Sequence, residues 1–245
     1  MFVLIEYNQN YESNYNLILE KLKLYNFTPI TLFKIKLNNK NQIKNDLNLI
    51  TKIKETLNPK YSAIQINIEK QDNSTIGFVN QLKQNFDLTI GLGGLNKTNR
   101  FFLEQTQIDI LQDPQNSKFK NKIDFIHHLN SGLNHVLCNY AKEKNISFLF
   151  TLNFFSGKPF HKSKEIARIN QNLKLARKYN IPIIINYIIK EPNNIKTIEE
   201  LKTIMNIFEI STNQKNQSFE ILTNQIKSNQ IKKTLKYITK GLNIV

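Results

Sequence analysis

The chain has 245 residues, a net charge of +15 and a single cysteine. This length suits one domain with a buried core, and 40% apolar with 22% charged residues is typical of a globular protein. One cysteine excludes an intrachain disulfide, a four-cysteine zinc site and a cysteine-ligated iron–sulfur cluster. The sequence has no run of about 18 apolar residues. Residues 1–6 lack the basic region of a signal peptide, so we expect a cytoplasmic protein without a membrane span.

The positive charge has two alternative origins. Lysine accounts for 31 of the 34 basic residues, and its codons, like those of Asn and Ile, are AT-rich. A biased genome or a nucleic-acid partner would each produce this excess. The three arginines, Arg100, Arg168 and Arg177, are more informative, because a planar guanidinium grips a phosphate or carboxylate in a way that lysine does not.

Apolar runs typical of β-strands alternate with helical spacings of apolar residues along the first half of the chain. Strands are predicted at residues 2–6, 30–37, 63–68, 87–91 and 108–111. Helices are predicted at 13–25, at 43–57 and around 74–82, with Ser13 and Ser74 as capping residues. The stretch 112–130 has no clear pattern, and long loops of this kind often carry function.

The second half continues the alternation more clearly. Helices are predicted around 133–141 (capped by Asn130 or Ser131), at 163–180 (capped near Ser163), at 197–206 and, as a basic helix, at 217–239. Strands are predicted at 146–152 and 181–189, with a weak eighth strand at 207–210. Seven or eight β/α units in a single domain spanning 1–245 predict an α/β fold, a (β/α) TIM-like barrel. A doubly wound open sheet is the alternative.

The sequence offers few groups for catalysis at the C-terminal ends of the strands, where barrel enzymes place their active sites. The adjacent His127 and His128 diverge on any regular element, so we do not expect a joint metal site. The segment 91–94, Gly-Leu-Gly-Gly, is a phosphate-binding turn or, as we favour, a tight packing turn. Cys138 is expected to be a buried apolar group. Asp109 is expected to end its strand in a hydrogen bond or to pair with a cation.

Basic residues follow several successive strands. They are Lys97 and Arg100, then Lys118, Lys120 and Lys122 followed by His127 and His128, then Lys158, His161, Lys162 and Lys164, and finally Lys196. Because these loops emerge from one rim of a barrel, they predict a phosphate-binding rim, although each cluster alone is equally typical of a solvated loop. Arg168 is predicted to lie away from the apolar stripe of its helix, within reach of a ligand. Arg177 and His135 are predicted near the edges of theirs, where local bonding is the alternative.

Five segments between about residues 87 and 200 resemble one known family when they are taken together. They are Asn99-Arg100, Ile108–Pro114, Asn130–Cys138, Ala141–Ile146 and Arg168–Ile185. The set is similar to the archaeal ribonuclease P protein component 3 family, which has a eukaryotic counterpart. The chain departs from that family in two places. It has Asn186-Tyr187 where the family commonly has Ser-Gly-Ala, and its 118–122 loop has only Lys where the family often has Arg.

The resemblance implies a (β/α) barrel related to the polymerase-and-histidinol-phosphatase superfamily without its metal site. It also implies a protein subunit of ribonuclease P that supports the catalytic RNA in removing the 5′ leader of precursor tRNA. The implied partners are the ribonuclease P RNA, protein component 2, the other protein subunits and, indirectly, precursor tRNA. The chain itself would bind no cofactor, Mg²⁺ being required by the RNA, and would not itself be catalytic. The contact residues that the resemblance implies are Arg100, Lys118, Lys120, Lys122, His135, Arg168 and Lys196. His128 and Arg177 are predicted as further contacts. A barrel-fold metal-dependent phosphoesterase is the alternative function.

Overall fold

The computed structural model describes residues 1–8, 12–37, 40–69, 71–116, 124, 129–152, 159–234, 237–239 and 242–243. Its strands are β1 (Phe2–Glu6), β2 (Thr28–Leu37), β3 (Ser62–Ile68), β4 (Leu88–Leu92), β5 (Ile110–Gln112), β6 (Ser147–Thr151), β7 (Ile183–Asn186), β8 (Ile188–Ile189), β9 (Tyr237–Thr239) and β10 (Leu242–Asn243). Its α-helices are α1 (Glu12–Leu24), α2 (Lys40–Leu57), α3 (Asn73–Asn85), α4 (Asn96–Arg100), α5 (His135–Glu143), α6 (Pro159–Lys178), α7 (Ile198–Asn206) and α8 (Thr212–Lys233). A π-helix covers Phe101–Gln105 and a 3₁₀-helix covers Pro192–Asn194.

The first eight strands form one parallel sheet in the order β7-β6-β5-β4-β3-β2-β1-β8. Strands β7 and β8 are consecutive pieces of a single apolar segment, separated only by Tyr187, so the sheet closes on itself. The predicted (β/α) barrel is therefore confirmed, with seven strand–helix units in the described residues. The predicted eighth strand at 207–210 is wrong, because these residues form the turn that follows α7.

Two apolar layers hold the barrel together. Leu4, Leu32 and Ile90 belong to a cluster inside the barrel, whereas their neighbours in sequence, such as Val3 and Phe33, pack against the helices. This division follows from the alternation of side chains along each strand. Both layers are apolar, so the strands have continuous hydrophobic sequences, as expected for a parallel sheet covered on both faces.

Asparagine ends several helices at the turn into the next strand. Asn26, Asn145 and Asn180 have φ angles of 55°, 55° and 56°, in the left-handed region that asparagine tolerates better than most residues. The backbone N–H that follows each one reaches back across the turn: Phe27 to Leu22 O at 3.0 Å, Ile146 to Ala141 O at 2.8 Å and Ile181 to Ala176 O at 2.9 Å. These bonds satisfy helix carbonyls that would otherwise lack partners, so part of the asparagine content has a structural role.

Helix α8 lies across the N-terminal end of the barrel. Its Leu222 and Ile226 join the interior cluster, so the helix closes this end of the core. Polar side chains fix its position: Gln225 Nε2 donates to Asp109 O at 2.8 Å, and Asn229 Nδ2 donates to Asp87 O at 2.9 Å. The helix ends at Lys233, and residues 237–239 form a strand, so the predicted helix boundary at 239 is wrong.

Two further local predictions are corrected. The cap of α5 is Asn134, whose side chain accepts a hydrogen bond from Leu137 N at 2.9 Å, in place of Asn130 or Ser131. The helical turns between Asn96 and Gln105 were not predicted, because their apolar residues, Phe101 to Leu103, are consecutive and give no helical spacing. Within the described residues, no helix has the length and apolarity needed to cross a membrane.

Candidate functional site

The mouth of the barrel at the C-terminal ends of the strands is lined by paired charges. Lys34 Nζ lies 2.7 Å from Glu6 Oε2, and Lys190 Nζ lies 3.8 Å from the same oxygen. Lys34 follows Leu32 by two residues on β2, so its side chain leaves the strand on the interior side. Neither lysine was among the predicted site residues, although the alternation of Lys34 and Lys36 with apolar residues in β2 is a signal that indicates Lys34.

One buried asparagine joins three loops of this rim. Asn99 Nδ2 donates to Pro114 O at 2.8 Å and to Gly132 O at 2.7 Å, with Gly94 O at 3.3 Å. Its Oδ1 accepts from Gly94 N at 2.9 Å. The side chain is fully buried, so both ends of the amide are satisfied by main chain alone. The first of the three loops follows β4, the second follows β5 and the third precedes α5. Each contains part of a motif singled out in the sequence.

Glycines allow these loops to approach one another closely. Gly132 has φ +86°, and a Cβ there would lie 2.1 Å from Pro114 O and 2.7 Å from Asn99 Nδ2. A Cβ on Gly93 would lie 2.6 Å from Pro114 Cα. The 91–94 segment is therefore a packing turn against residues 112–116, as favoured from the sequence, and this packing accounts for Gly93 without a phosphate.

A buried network of hydrogen-bonded polar side chains lies beneath the three joined loops. Asp113 accepts hydrogen bonds from Thr151 N at 2.8 Å, Thr151 Oγ1 at 2.6 Å, Gln112 Nε2 at 3.1 Å and Gln115 Nε2 at 3.3 Å. Burial raises the pKa of Asp113, and these hydrogen bonds oppose the rise. Gln65 Nε2 donates to Gln112 Oε1 at 2.6 Å, which extends the network to β3. This network links β3, β5 and β6 at the end of the barrel that carries the rim.

Arg168 is bound inside the protein and does not reach outward as its position in the sequence predicted. Its side chain is only 4% exposed, and Nη2 lies 2.7 Å from Asp124 Oδ1. Asp124 also accepts from Asn130 N at 3.0 Å, and Lys164 lies 3.6 Å away. Partial burial works to raise the pKa of Asp124, but the hydrogen bonds from Arg168 and Asn130 outweigh it and hold the pKa below its usual value. Arg168 thus anchors the chain at Asp124, between the predicted lysine loop and His128.

Three other predicted contact residues lie at or near the surface. Arg100 is 61% exposed and pairs with Glu104 on the same helical turn, its Nε 2.5 Å from Oε2. His135 is exposed and is the first residue of α5. Lys196 is half-buried directly before α7, and its backbone N–H donates to the Tyr187 hydroxyl. Burial raises the pKa of Tyr187 to about 12, so the phenol stays neutral and bonds the loop before α7.

Arg177 lies elsewhere, near the N-terminal end of the barrel. Its Nη2 donates to Phe208 O at 3.3 Å and to Glu209 O at 3.2 Å, so it caps the turn after α7 and does not join the rim. Asp109, on the same side of the barrel, both accepts from Thr89 N at 2.8 Å and pairs with Lys83 Nζ at 3.1 Å. The expected hydrogen bond and the expected pairing with a cation are both present, but Asp109 precedes β5 and does not end it, and its cation is Lys83, whereas Arg100, the cation considered from the sequence, pairs with Glu104. Cys138 is buried as expected, and burial raises the pKa of its thiol to about 11.

The remaining predicted contacts, Lys118, Lys120, Lys122 and His128, lie outside the described residues. So does His127, the partner considered for a metal site. Among the residues whose side chains the structure describes, no three His, Cys, Asp or Glu side chains are grouped to hold a metal ion. The described rim can therefore offer lysine ammoniums, one exposed histidine and main-chain N–H groups, which are groups that bind phosphate.

The chain is similar to several archaeal proteins, although no family model matches it. It is 26% identical over 147 residues to a ribonuclease P protein component 3 of Methanococcus maripaludis, which covers 60% of this chain and 59% of that protein. It is 29% identical over 119 residues to the protein of that name from Methanosarcina mazei, covering 48% and 45%. The chain thus spans less than two thirds of the length of these relatives.

A solved structure matches the fold along the whole chain. A chain in the cryo-EM structure of archaeal ribonuclease P with mature tRNA superposes with a TM-score of 0.73 and 19% identity, covering 100% of this chain and 98% of the other. That match shows the fold alone. The sequence relatives confirm that the resemblance drawn from the motifs is to archaeal proteins named ribonuclease P protein component 3.

Proposed function

We propose that this chain is a protein subunit of ribonuclease P that supports the catalytic RNA in removing the 5′ leader of precursor tRNA. The observation that carries the proposal is the similarity over 147 residues to proteins named ribonuclease P protein component 3. The hydrogen bonds of Asn99 add a physical reason, because they join three loops into one structural unit, and the motifs that carry the resemblance lie in those loops.

In this proposal the cations of the rim neutralise phosphates of the RNA subunit. Lys34, Lys36 and Lys190 at the mouth of the barrel, with exposed His135 nearby in the fold's rim loops, supply positive charge without a catalytic group. Neutralising phosphates stabilises a compact RNA, which lets the active fold persist at lower Mg²⁺. Mg²⁺ is then bound by the RNA, and this chain needs no cofactor of its own.

Arg168 has an indirect role here. It is too buried to meet a phosphate in this arrangement, so it is a positioning residue for Asp124. Asp124 lies between Lys122 and His128 in the sequence. The ion pair therefore fixes one point of the segment that contains four of the nine predicted contact residues, namely Lys118, Lys120, Lys122 and His128.

The partners in this proposal are the ribonuclease P RNA, protein component 2 and the other protein subunits, with precursor tRNA reached indirectly, in the cytoplasm. The test is a reconstitution in which the RNA and the remaining subunits are mixed with precursor tRNA at limiting Mg²⁺, with and without this chain. We expect 5′-leader cleavage to require both the RNA and this chain. Cleavage that is independent of the chain would contradict the proposal.

The same experiment separates a chain that acts with RNA from a phosphoesterase. One arm contains this chain alone with Mg²⁺, Mn²⁺ or Zn²⁺ and a generic phosphoester. Hydrolysis in that arm would favour the enzyme alternative.

A variant tests the lysine loop directly. Replacing Lys118, Lys120 and Lys122 by Gln should reduce the salt dependence of RNA binding by about two to three units of log–log slope if all three contact phosphate. The matched control replaces the exposed Lys44, Lys174 and Lys202, which removes the same charge elsewhere. Equal slopes for the two triple variants would contradict a role for the loop.

A further inference from the structure

A second group of cations lies at the opposite end of the barrel from the rim. We name Lys54, Lys83, Lys144, Lys232 and Lys233 the lysine cluster; they come from α2, α3, the end of α5 and the end of α8. Four of their ammoniums bind main-chain carbonyls that precede β4 and β5. Lys54 donates to Asn85 O, Lys233 to Phe86 O, Lys83 to Gln107 O at 2.7 Å, and Lys144 to Glu104 O and to Thr106 O at 3.3 Å.

Four carboxylates of the described residues face the five lysines, so they do not fully neutralise the cluster. Asp109 pairs with Lys83, Glu104 and Glu143 act on Lys144, and Asp87, whose Oδ2 accepts from Ser62 N at 2.8 Å, acts on Lys233. The carbonyls supply only the partial negative charge of helix C-termini. Desolvation lowers the pKa of Lys233, Asp87 and Asp109 oppose this shift, and the charge of Lys54 adds to it. A bound anion would therefore compensate partly buried positive charge that neutral carbonyls only solvate.

An open groove runs past the cluster between α8 and the N-terminal ends of β5 to β7. Two adjoining cavities of about 370 and 460 Å³ share Pro182, Ile221 and Asn224 and so form one channel. Lys83, Lys144 and Lys232 line one half together with Asp109, and Arg177 lies in the other half with Glu220, so the lining cations outnumber the lining carboxylates by four to two. Between the cations the walls carry amide side chains, such as those of Gln225 and Gln217, which can donate to or accept from sugars and phosphates.

The ammoniums keep donors for a ligand. Each lysine has three N–H groups. Lys83 uses two, on Asp109 and Gln107, and Lys144 uses two, on carbonyls. Cations spread along an elongated polar channel suit a chain of phosphates better than a single small anion.

We propose that this groove binds the sugar–phosphate backbone of RNA, as a second contact surface on the face opposite the rim. The inference rests on the proposed function, which makes RNA the polyanion that this chain meets. It adds a contact surface that the sequence did not predict, because its four cations, Lys83, Lys144, Arg177 and Lys232, come from four separate helices. A subunit with phosphate contacts at both ends of its barrel would bridge two segments of RNA.

The test uses the full chain and a labelled ribonuclease P RNA, with affinity measured over a series of salt concentrations. The variant Lys144→Gln/Lys232→Gln removes two exposed cations of the groove. We expect the log–log slope to fall by about 1.4 to 1.8 if both contact phosphate. Lys174→Gln/Lys202→Gln, which removes two exposed lysines from α6 and α7, should leave the slope at the wild-type value.

The outcomes separate this inference from the proposed function. Wild-type binding to RNA with equal slopes for the two double variants would overturn the groove and leave the proposed function standing. Failure of the wild-type chain to bind RNA would overturn both. Lys144→Arg/Lys232→Arg keeps the charge and should keep the slope. The variant Lys144→Gln/Lys232→Gln loses the Lys144 bonds to carbonyls, which could lower its melting temperature. In that case Lys232→Glu tests the groove in the same salt series, because it changes a single exposed side chain at the end of α8.

Discussion

The two ends of this barrel hold their cations with different acceptors. At the C-terminal rim, the cations form ion pairs: Lys34 and Lys190 share Glu6, and Arg168 is held by Asp124. At the N-terminal face, four of the five ammoniums of the lysine cluster donate to main-chain carbonyls, although Asp87, Asp109, Glu104 and Glu143 also face the cluster. The rim therefore keeps excess positive charge where two lysines share one carboxylate, whereas the opposite face places its cations mainly on neutral acceptors.

This difference shows that the number of basic residues in a loop does not measure the charge available to a ligand. Arg168 counts as a cation in the sequence, yet its charge is used within the protein. Lys83 and Lys233 were not singled out from the sequence, yet the fold brings both to the N-terminal face of the barrel, where Lys83 lines the groove and Lys233 binds Phe86 O. What decides the outcome is the number of carboxylates that the fold places beside each cation.

The largest effect expected at the rim comes from Gly132→Ala. The added Cβ would lie 2.1 Å from Pro114 O in a backbone conformation with φ +86°, so the loop must move and the bonds to Asn99 must break. We expect the free energy of unfolding to fall by more than about 4 kcal/mol, measured by urea denaturation.

Gly77→Ala is the matched control for that substitution. Gly77 is exposed in α3, and a Cβ there meets nothing within 4 Å. It should stabilise the chain by about 0.5 to 1 kcal/mol through helix propensity. Similar effects of the two alanines would show that the rim is not the rigid unit described above.

A smaller loss is expected for Asn99→Ala. The substitution leaves Gly94 N, Pro114 O and Gly132 O without their buried partner, at a cost of about 3 to 4 kcal/mol for the set. Asn99→Asp should be worse, because its second oxygen would face two carbonyls. Asn139→Ala, at an exposed position of α5, serves as the control and should change stability little. A stable Asn99→Asp variant would contradict the hydrogen-bond assignment.

Next in size is Asp124→Asn, which weakens the contact with Arg168. Since Arg168 is 4% and Asp124 20% exposed, we expect a loss of about 2 to 3 kcal/mol at pH 7, between the values for surface and buried pairs. The folded-state pKa of Asp124 is lowered, so its stabilisation is present above the unfolded value near 3.9 and is lost as pH falls through the lower, folded value. Denaturation curves of the two proteins should therefore converge below about pH 4; a constant difference would exclude this pair as the cause.

Local patterns predicted the barrel because its strands are apolar on both faces and its helices have regular apolar spacings. The strand predicted at 181–189 illustrates this, since a continuous apolar run has few other placements. Contacts between distant residues were beyond such patterns. Asp124 lies 44 positions from Arg168, and Phe86 lies 147 positions from Lys233. Asn99 was noticed only as the neighbour of Arg100, although the asparagine, and not the arginine, holds the rim together.

The smallest structural effect, and the sharpest test of what an exposed cation does here, is Arg100→Ala. Arg100 pairs with Glu104 at the surface, where an ion pair between neighbouring helical residues is well solvated, so we expect no measurable change in urea denaturation. Support of RNA cleavage at limiting Mg²⁺ should nevertheless fall if Arg100 meets a phosphate, and the salt slope of RNA binding should drop by about 0.7 to 0.9. Lys202→Ala is the control. An unchanged slope for Arg100→Ala would mean that the only role of this arginine, as of Arg177, is a bond within the protein. The RNA contacts among the described residues would then be the lysines of the barrel mouth, His135, Lys196 and the groove.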